Sequence, residues 1–248
     1  GIAFTGSFHE WNPLSGTYNF LGLKNYIDVF KSGLFHTSVL NTFIFSVVVI
    51  IFRVGLGLGI AYAIYSAFVK HKSFFRAVYY MPVVTPMVAV AFVWKFMYNP
   101  QIGTINQIFN LDVNWLLNPK TALLAVMIMT IWKDFGYAVV MYMAGLYSLP
   151  SDALEAPKVD GANAWQTFRY ITLPLLKPTT LFVVITSIIS YIQAYVQILI
   201  MTEGGPGTTT YEAFVKYNFG YASALSFVLF VITAIFTWLS FRVSASKE

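Results

Sequence analysis

The 248-residue chain has no cysteine, and charge is scarce, with Lys, Arg, Asp and Glu together making 10% of it. The missing cysteine excludes disulfides, thiolate chemistry and cysteine-ligated metal sites. The shortage of charge excludes an ordinary soluble globule, because soluble domains carry about 25% charged residues. A GxxxxGK[ST] run is also missing, so the chain does not itself cradle nucleotide phosphates as a P-loop protein does. His9, His36 and His71 are scattered without ligand spacing and read as solvated rather than metal-binding. What is abundant is apolar: 58% hydrophobic, 18% aromatic, with a mean hydropathy of +0.68. The solvent such a composition fits is lipid, with Trp and Tyr collecting at the headgroups. The formal charge of +5 is spread between apolar segments rather than clustered, which fits membrane topology better than nucleic acid. The chain opens on Gly1 with no signal peptide, and GIAFTGSF reads like the frayed end of a span whose beginning is missing.

A bilayer core is crossed by about 20 apolar residues in helix. Five segments qualify, at 38–66, 77–98, 121–147, 175–200 and 223–241. They are too long for barrel strands, and unpaired backbone is too costly in lipid for other forms. The expected fold is therefore an all-α membrane protein, one transmembrane helix bundle over 1–248, with a sixth, N-terminal span missing. Lys70, Lys72 and Arg76 in 67–76, with Arg242 and Lys247 in the tail, place 67–76, 148–174 and the C-terminus in the cytoplasm. The first 36 residues, 99–120 and 201–222 then face outward. Gly55 and Gly59, within GLGLG, form a small-xxx-small pattern that predicts close helix approach.

The connection 148–174 is the longest on the cytoplasmic side, and it is patterned. Pro150 and Ser151 make a stop and a cap, after which Ala153, Leu154, Val159, Ala162, Trp165 and Phe168 recur near helical spacing. Pro174 is expected to close the helix. On pattern alone this segment lies on the membrane surface or packs against a partner.

Its residues also carry a resemblance. Glu155-Ala156-Pro157, three residues, Gly161, nine residues, then Ile171-Thr172-Leu173-Pro174 resembles the EAA loop of binding-protein-dependent ABC importer permeases, with Pro157 where the family usually has Ala. VDGA and ITLPLLKP around that loop, with MTEGGPGTTTYE at 201–212, resemble the carbohydrate, maltose-type branch, and GLKNYIDVF at 22–30 and GYASALSFVLFVI at 220–232 resemble the permease family as well. The resemblance implies a loop that couples the permease to an ATPase on another chain. Two short helices separated by Gly161 would form a knob. Glu155 would meet a basic residue of the partner, Asp160 would cap the second helix, and Ala156, Val159, Ala162 and Trp165 would fill a groove. Pro157 fits the first helical turn, where its missing N–H has no partner.

Ionisable residues within spans are functional candidates because they are expensive there. Arg53 lies in the first span, and Lys133 and Asp134 lie in the third. Asp134 either faces a pathway or pairs with Arg53 or Lys133. In the fourth span Ser187, Tyr191 and Ala194 share one face with Tyr195 beside them, and Gln193 and Gln197 form an i, i+4 stripe. Hydroxyls, amides and aromatic faces suit a sugar; the alternative is hydrogen bonding between helices. The resemblance implies that the central sugar site draws on Ser187, Tyr191, Ala194, Asp134 and Tyr137. Val83 follows Pro82 where relatives can have an aromatic.

By that resemblance the chain is not an enzyme and holds no cofactor or metal; ATP and Mg belong to a partner ATPase dimer. The other expected partners are a second permease subunit, an extracytoplasmic solute-binding protein and the bilayer of a bacterial or archaeal cytoplasmic (inner) membrane. The cargo is a sugar or oligosaccharide, moved by alternating access. The alternatives are a polar non-sugar such as glycerol phosphate, an ion-coupled secondary transporter, for which no inverted repeat is apparent, and a membrane-embedded enzyme, for which no nucleophile–base pair is apparent.

Overall fold

Apolar runs dominate the chain, and the computed structural model folds them as helices; it describes residues 1–66, 72–153, 155, 161–203 and 218–245. A short helix α1 (Ile2–Gly6) leads into a hairpin of β1 (His9–Asn12) and β2 (Thr17–Phe20), followed by α2 (Lys24–Lys31) and the long α3 (Gly33–Ser66). Next come α4 (Lys72–Val84), α5 (Met87–Met97), α6 (Thr104–Phe109) and α7 (Pro119–Tyr147). The rest are α8 (Ala164–Leu175), α9 (Lys177–Ile192), α10 (Val196–Thr202) and α11 (Phe219–Ala245). The hairpin is the one departure from an all-helical reading among the described residues. Its turn is closed by the Asn12 side chain, whose Oδ1 accepts from the Leu14 N–H at 3.0 Å, and by Gly16 at a φ of 68°.

Among the described residues three helices are long and apolar enough to cross a bilayer unbroken: α3, α7 and the Phe219–Trp238 part of α11. At about 1.5 Å per residue the 34 residues of α3 run roughly 50 Å, well past a hydrocarbon core of about 30 Å. Two more helix pairs are apolar enough together but bent, Phe74–Val84 with Met87–Met97 at 90° and Ala164–Leu175 with Lys177–Ile192 at 62°, each a broken span or a re-entrant loop. Counting each pair once gives five, the number of apolar segments in the sequence. Two expected spans are nevertheless not continuous. Segment 77–98 breaks at Thr85 and Pro86, because a proline lacks the N–H and forces its predecessor out of helical geometry. Segment 175–200 stops at Ile192 and resumes at Val196.

The chain forms two compact units, one of Gly1–Val47, Met87–Met127 and Ile188–Glu248, the other of Val48–Pro86 and Ile128–Ser187. In the first, Val29, Phe35, Ala224, Leu225 and Val228 form a buried cluster joining α2, α3 and α11. The N-terminal hairpin is fastened there too: Asn25 donates to the Ser7 and His9 carbonyls at 2.9 and 3.0 Å, and Trp11 packs on Phe219.

In the second unit Ala61, Ile64, Ala138, Val139, Tyr142, Met143, Leu146, Leu176 and Val183 make the core. The close approach expected at Gly55 and Gly59 falls on the glycine between them. A Cβ on either would meet nothing within 4 Å, whereas one on Gly57 would lie 2.4 Å from the Ala138 Cβ. The motif signals a glycine-lined helix, but the neighbouring helix fixes which side of it is the seam. Gly57→Ala is therefore expected to lower the unfolding midpoint in detergent, by about 1–3 kcal/mol of overpacking. Gly55→Ala should be neutral or stabilising by up to about 1 kcal/mol through helix propensity. Equal losses at both positions would refute the assignment of the seam.

Candidate functional site

Residues 151–153 and Glu155 are helical, and Glu155 is exposed. Gly161 turns the chain at a φ of 78°, a conformation strained for any side chain, although a Cβ there would meet no neighbour. Glycine is needed at this turn for backbone conformation, not for space. Ala162 is half-buried, and α8 then starts with a reciprocal capping box: Asn163 Oδ1 accepts from the Gln166 N–H, and Gln166 Oε1 accepts from the Asn163 N–H, both at 2.8 Å. The cap of this second helix is thus Asn163, where the sequence reading expected Asp160. Asn163 alone has the glutamine three residues on that closes the box. Ala156, Pro157, Val159 and Asp160 lie outside the described residues.

Pro174 does not close the helix as expected. The Phe168–Thr172 stretch of α8 is a π-turn in which the Leu173 N–H reaches the Phe168 carbonyl five residues back. Pro174 then sits in the first turn of the α-helical piece Leu173–Leu175, and the bend comes at Leu176. Trp165 and Tyr170 project from α8 at 67% and 73% exposure. Between them Phe168 packs 4.4 Å from the Tyr62 ring of α3, while Leu176 is buried in the core with α7 residues. The exposed knob is therefore bolted to two spanning helices of its unit. Tyr170 went unremarked in the sequence because spacing does not tell a buried aromatic from a presented one.

The intramembrane charges are committed to protein oxygens and rings. Arg53 is buried, donates from Nη1 to Ser187 Oγ at 3.0 Å and stacks 4.8 Å over the Tyr137 ring. Ser187 is fully buried and also donates to the Val183 carbonyl. Three candidate residues from α3, α7 and α9 thus meet as interhelical glue. Lys133 donates from Nζ to the Val83 carbonyl at 3.1 Å. That carbonyl lost its helical partner at the break, and Thr85 serves two more, donating from Oγ1 to Met81 and from its N–H to Pro82 at 3.1 and 3.3 Å. Lys133 Nζ also lies 3.7 Å from Asp134 Oδ1, although neighbours in sequence point apart on a helix. Asp134 and Tyr137 are only half-buried.

In the first unit Tyr191 is buried edge-on against Phe45. Past it the helix opens: 193–195 is non-helical, with Gln193 and Tyr195 exposed, Ala194 half-buried and Gln197 buried. Neither the Ser187–Tyr191–Ala194 face nor the Gln193–Gln197 stripe survives the break as one helical surface. The opened turn instead presents an amide and a phenol, while the Ala194 N–H turns back to the Tyr191 carbonyl and the Tyr195 carbonyl accepts from the Leu199 N–H. Irregular backbone at membrane depth is tolerated only where protein covers it or a water-filled cavity bathes it.

Sequence reasoning also missed Lys95 and Glu203. Their ammonium and carboxylate meet at 2.5 Å, tying α5 to the end of α10, where Glu203 adopts a left-handed φ of 52°. A pairing across 108 residues leaves no trace in local spacing. Residues 204–217, most of the 201–222 segment, lie outside the described residues. Hydrogen bonding from Lys95, and then its charge, hold the Glu203 carboxyl below its ordinary range.

The family described as binding-protein-dependent transport system inner membrane component is matched over residues 53–246. The trehalose/maltose transport system permease protein MalF of Thermococcus litoralis is 34% identical over 240 residues, covering 92% of this chain and 81% of that protein. The sn-glycerol-3-phosphate transport system permease protein UgpA of Agrobacterium fabrum is 33% identical over 236 residues, covering 90% and 80%. A crystal structure of a bacterial ABC transporter that imports the acidic polysaccharide alginate superposes with a TM-score of 0.84 at 20% identity, covering 92% of this chain and 85% of that one.

Lys133→Met should strand the Val83 carbonyl, costing about 1–3 kcal/mol in thermal unfolding, and Lys133→Arg should recover part of it. The Glu203 contribution should be complete at neutral pH and fade as pH falls through the ordinary glutamate range toward its lowered value. Unfolding midpoints followed against pH, with Glu203→Gln as the flat control, check this sign.

Proposed function

This chain belongs to the family of binding-protein-dependent transport system inner membrane components, as a membrane-spanning ABC importer permease and not an enzyme, and from that premise we propose that it carries a sugar or oligosaccharide inward under the drive of partner ATPase subunits. The observation that carries the coupling half is the segment 161–175, with its left-handed Gly161, capping box and exposed Trp165 and Tyr170. Glu155, Ala156, Asp160, Gly161, Ala162 and Trp165 are the contact residues of the coupling knob. A groove on an ATPase that closes on ATP would move this knob as a body. The Phe168–Tyr62 stacking and the buried Leu176 would pass that motion to α3 and α7.

For the cargo, a trehalose/maltose permease at 34% identity supports a carbohydrate. The opened turn at 193–195, where Gln193 and Tyr195 offer an amide and a phenol, supplies hydrogen bonds and a ring for sugar hydroxyls and C–H faces. Asp134 and Tyr137, half-buried, are the remaining pathway candidates. Ser187 is committed to Arg53 and Tyr191 to Phe45, each within its own unit. A glycerol phosphate cargo, suggested by the 33% identical relative, is disfavoured by the charges. Arg53 already serves Ser187 and Tyr137, and Lys133 serves the Val83 carbonyl. In this reading a solute-binding protein delivers cargo on the outward side, a second permease completes the passage, and ATP with Mg is consumed on the ATPase dimer.

Glu155→Lys or Gly161→Asp should abolish uptake and the co-purification of the ATPase while leaving the permease inserted in the membrane. Intact uptake with both, or uptake that follows an ion gradient without ATP, would overturn the reading. Gln193→Ala and Tyr195→Phe should each lower uptake about fivefold, as the loss of one neutral hydrogen bond does. Which ligand raises the melting temperature of the partner binding protein decides between a sugar and glycerol phosphate.

A further inference from the structure

Helix α2 has two apolar sides; among the described residues one packs inside the protein, and the other touches it where Phe30 meets Phe35 edge-on, 5.6 Å between ring centroids. On one side Val29 is fully buried in the cluster with Phe35, Ala224, Leu225 and Val228, and Asn25 is tied to the hairpin. On another, Leu23, Ile27 and Phe30 stand 62%, 49% and 56% exposed. At 3.6 residues per turn these three fall within one stripe roughly 60° wide. Lys24 and Lys31, seven residues apart and both exposed, line one flank of that stripe. Ser32 alone separates α2 from α3; its extended backbone, φ −71° and ψ 120°, breaks the helix so that α2 turns away from the α3 axis. Leu34 in the first turn of α3 is itself 61% exposed. The apolar run of α3 begins at 38, only a few residues past Gly33, so a helix joined to α3 by one residue is kept by the chain close to the bilayer surface.

We propose that α2 is an interfacial anchor, lying along the membrane surface with Leu23, Ile27 and Phe30 at the acyl boundary and Lys24 and Lys31 on phospholipid phosphates. Apolar residues on one face and lysines beside them are what this position selects, the long lysine stems lying along the apolar surface while their ammonium groups reach the headgroups. With the Val29 side fixed to α11, the anchor would set the depth at which α3 and α11 begin.

The chain has no cysteine, so single cysteines report cleanly. Ile27→Cys, Phe30→Cys and Asp28→Cys are spin-labelled in the assembled transporter, in vesicles of phosphatidylcholine and phosphatidylglycerol, and probed with oxygen and a water-soluble nickel chelate. The oxygen-to-nickel accessibility ratio should exceed one at 27 and 30 and fall below one at 28. Nickel access at 27 and 30 equal to that at 28 would mean a solvated helix, and shielding from both reagents would mean a protein partner; either overturns the proposal. A second variant, Lys24→Glu with Lys31→Glu and the label at 30, should shift that label toward nickel. A label that stays put would remove the phosphate contact from the proposal and refute it as stated.

Discussion

Every backbone amide that enters hydrocarbon must find its partner within the protein, and that constraint governs where this bundle is allowed to be irregular. Each helix interruption is accompanied by a substitute. At Thr85 and Pro86 the freed carbonyls of α4 are taken by the Thr85 hydroxyl and N–H and by the Lys133 ammonium. Near Pro174 the helix widens into a π-turn before the proline instead of ending at it. At 193–195 the Ala194 N–H turns back to the Tyr191 carbonyl at 3.2 Å, and neighbouring polar side chains stay exposed. The first two are structural repairs, while the third keeps Gln193 and Tyr195 exposed.

The same constraint explains what was readable beforehand. Hydropathy counts apolar residues, so the number of crossings and their approximate places were legible, as was the coupling loop, whose motif is local and spaced. The internal breaks were hidden because 77–98 and 175–200 are as apolar as unbroken spans. Pro86 carried the first break in plain sight, but nothing comparable marks 193–195. The face that joins helices was also hidden: GLGLG announced a close approach without saying that Gly57, rather than Gly55 or Gly59, meets Ala138. Composition marked Arg53 and Lys133 as costly without saying what would repay the cost, since Ser187 and Val83 lie far off in sequence. Asn163 and Gln166, by contrast, were a readable capping box three residues apart, and the eye went to the acid at Asp160 instead.

Once the buried cations Arg53 and Lys133 are spent on Ser187, Tyr137 and a helix end, the candidates left to meet cargo, Asp134, Gln193 and Tyr195, bring a carboxylate, an amide and a phenol. Selection would then rest on hydrogen bonding to hydroxyls rather than on attraction to an anion, which fits a division of labour in which a separate binding protein chooses the cargo and the permease responds mechanically.

The π-turn in α8 carries a consequence for how such a loop tolerates change. A π-turn is an α-helix with an extra residue accommodated. Each helical residue adds about 100° of rotation and 1.5 Å of rise. Deleting one residue from Phe168–Thr172 would therefore regularise the helix with Trp165 left near its present azimuth, whereas inserting one, with the slack already taken up, would swing Trp165 by roughly 100° and push it out by about 1.5 Å. The π-turn thus works as a one-residue buffer on the phase of the knob, tolerant of a shorter loop and not of a longer one.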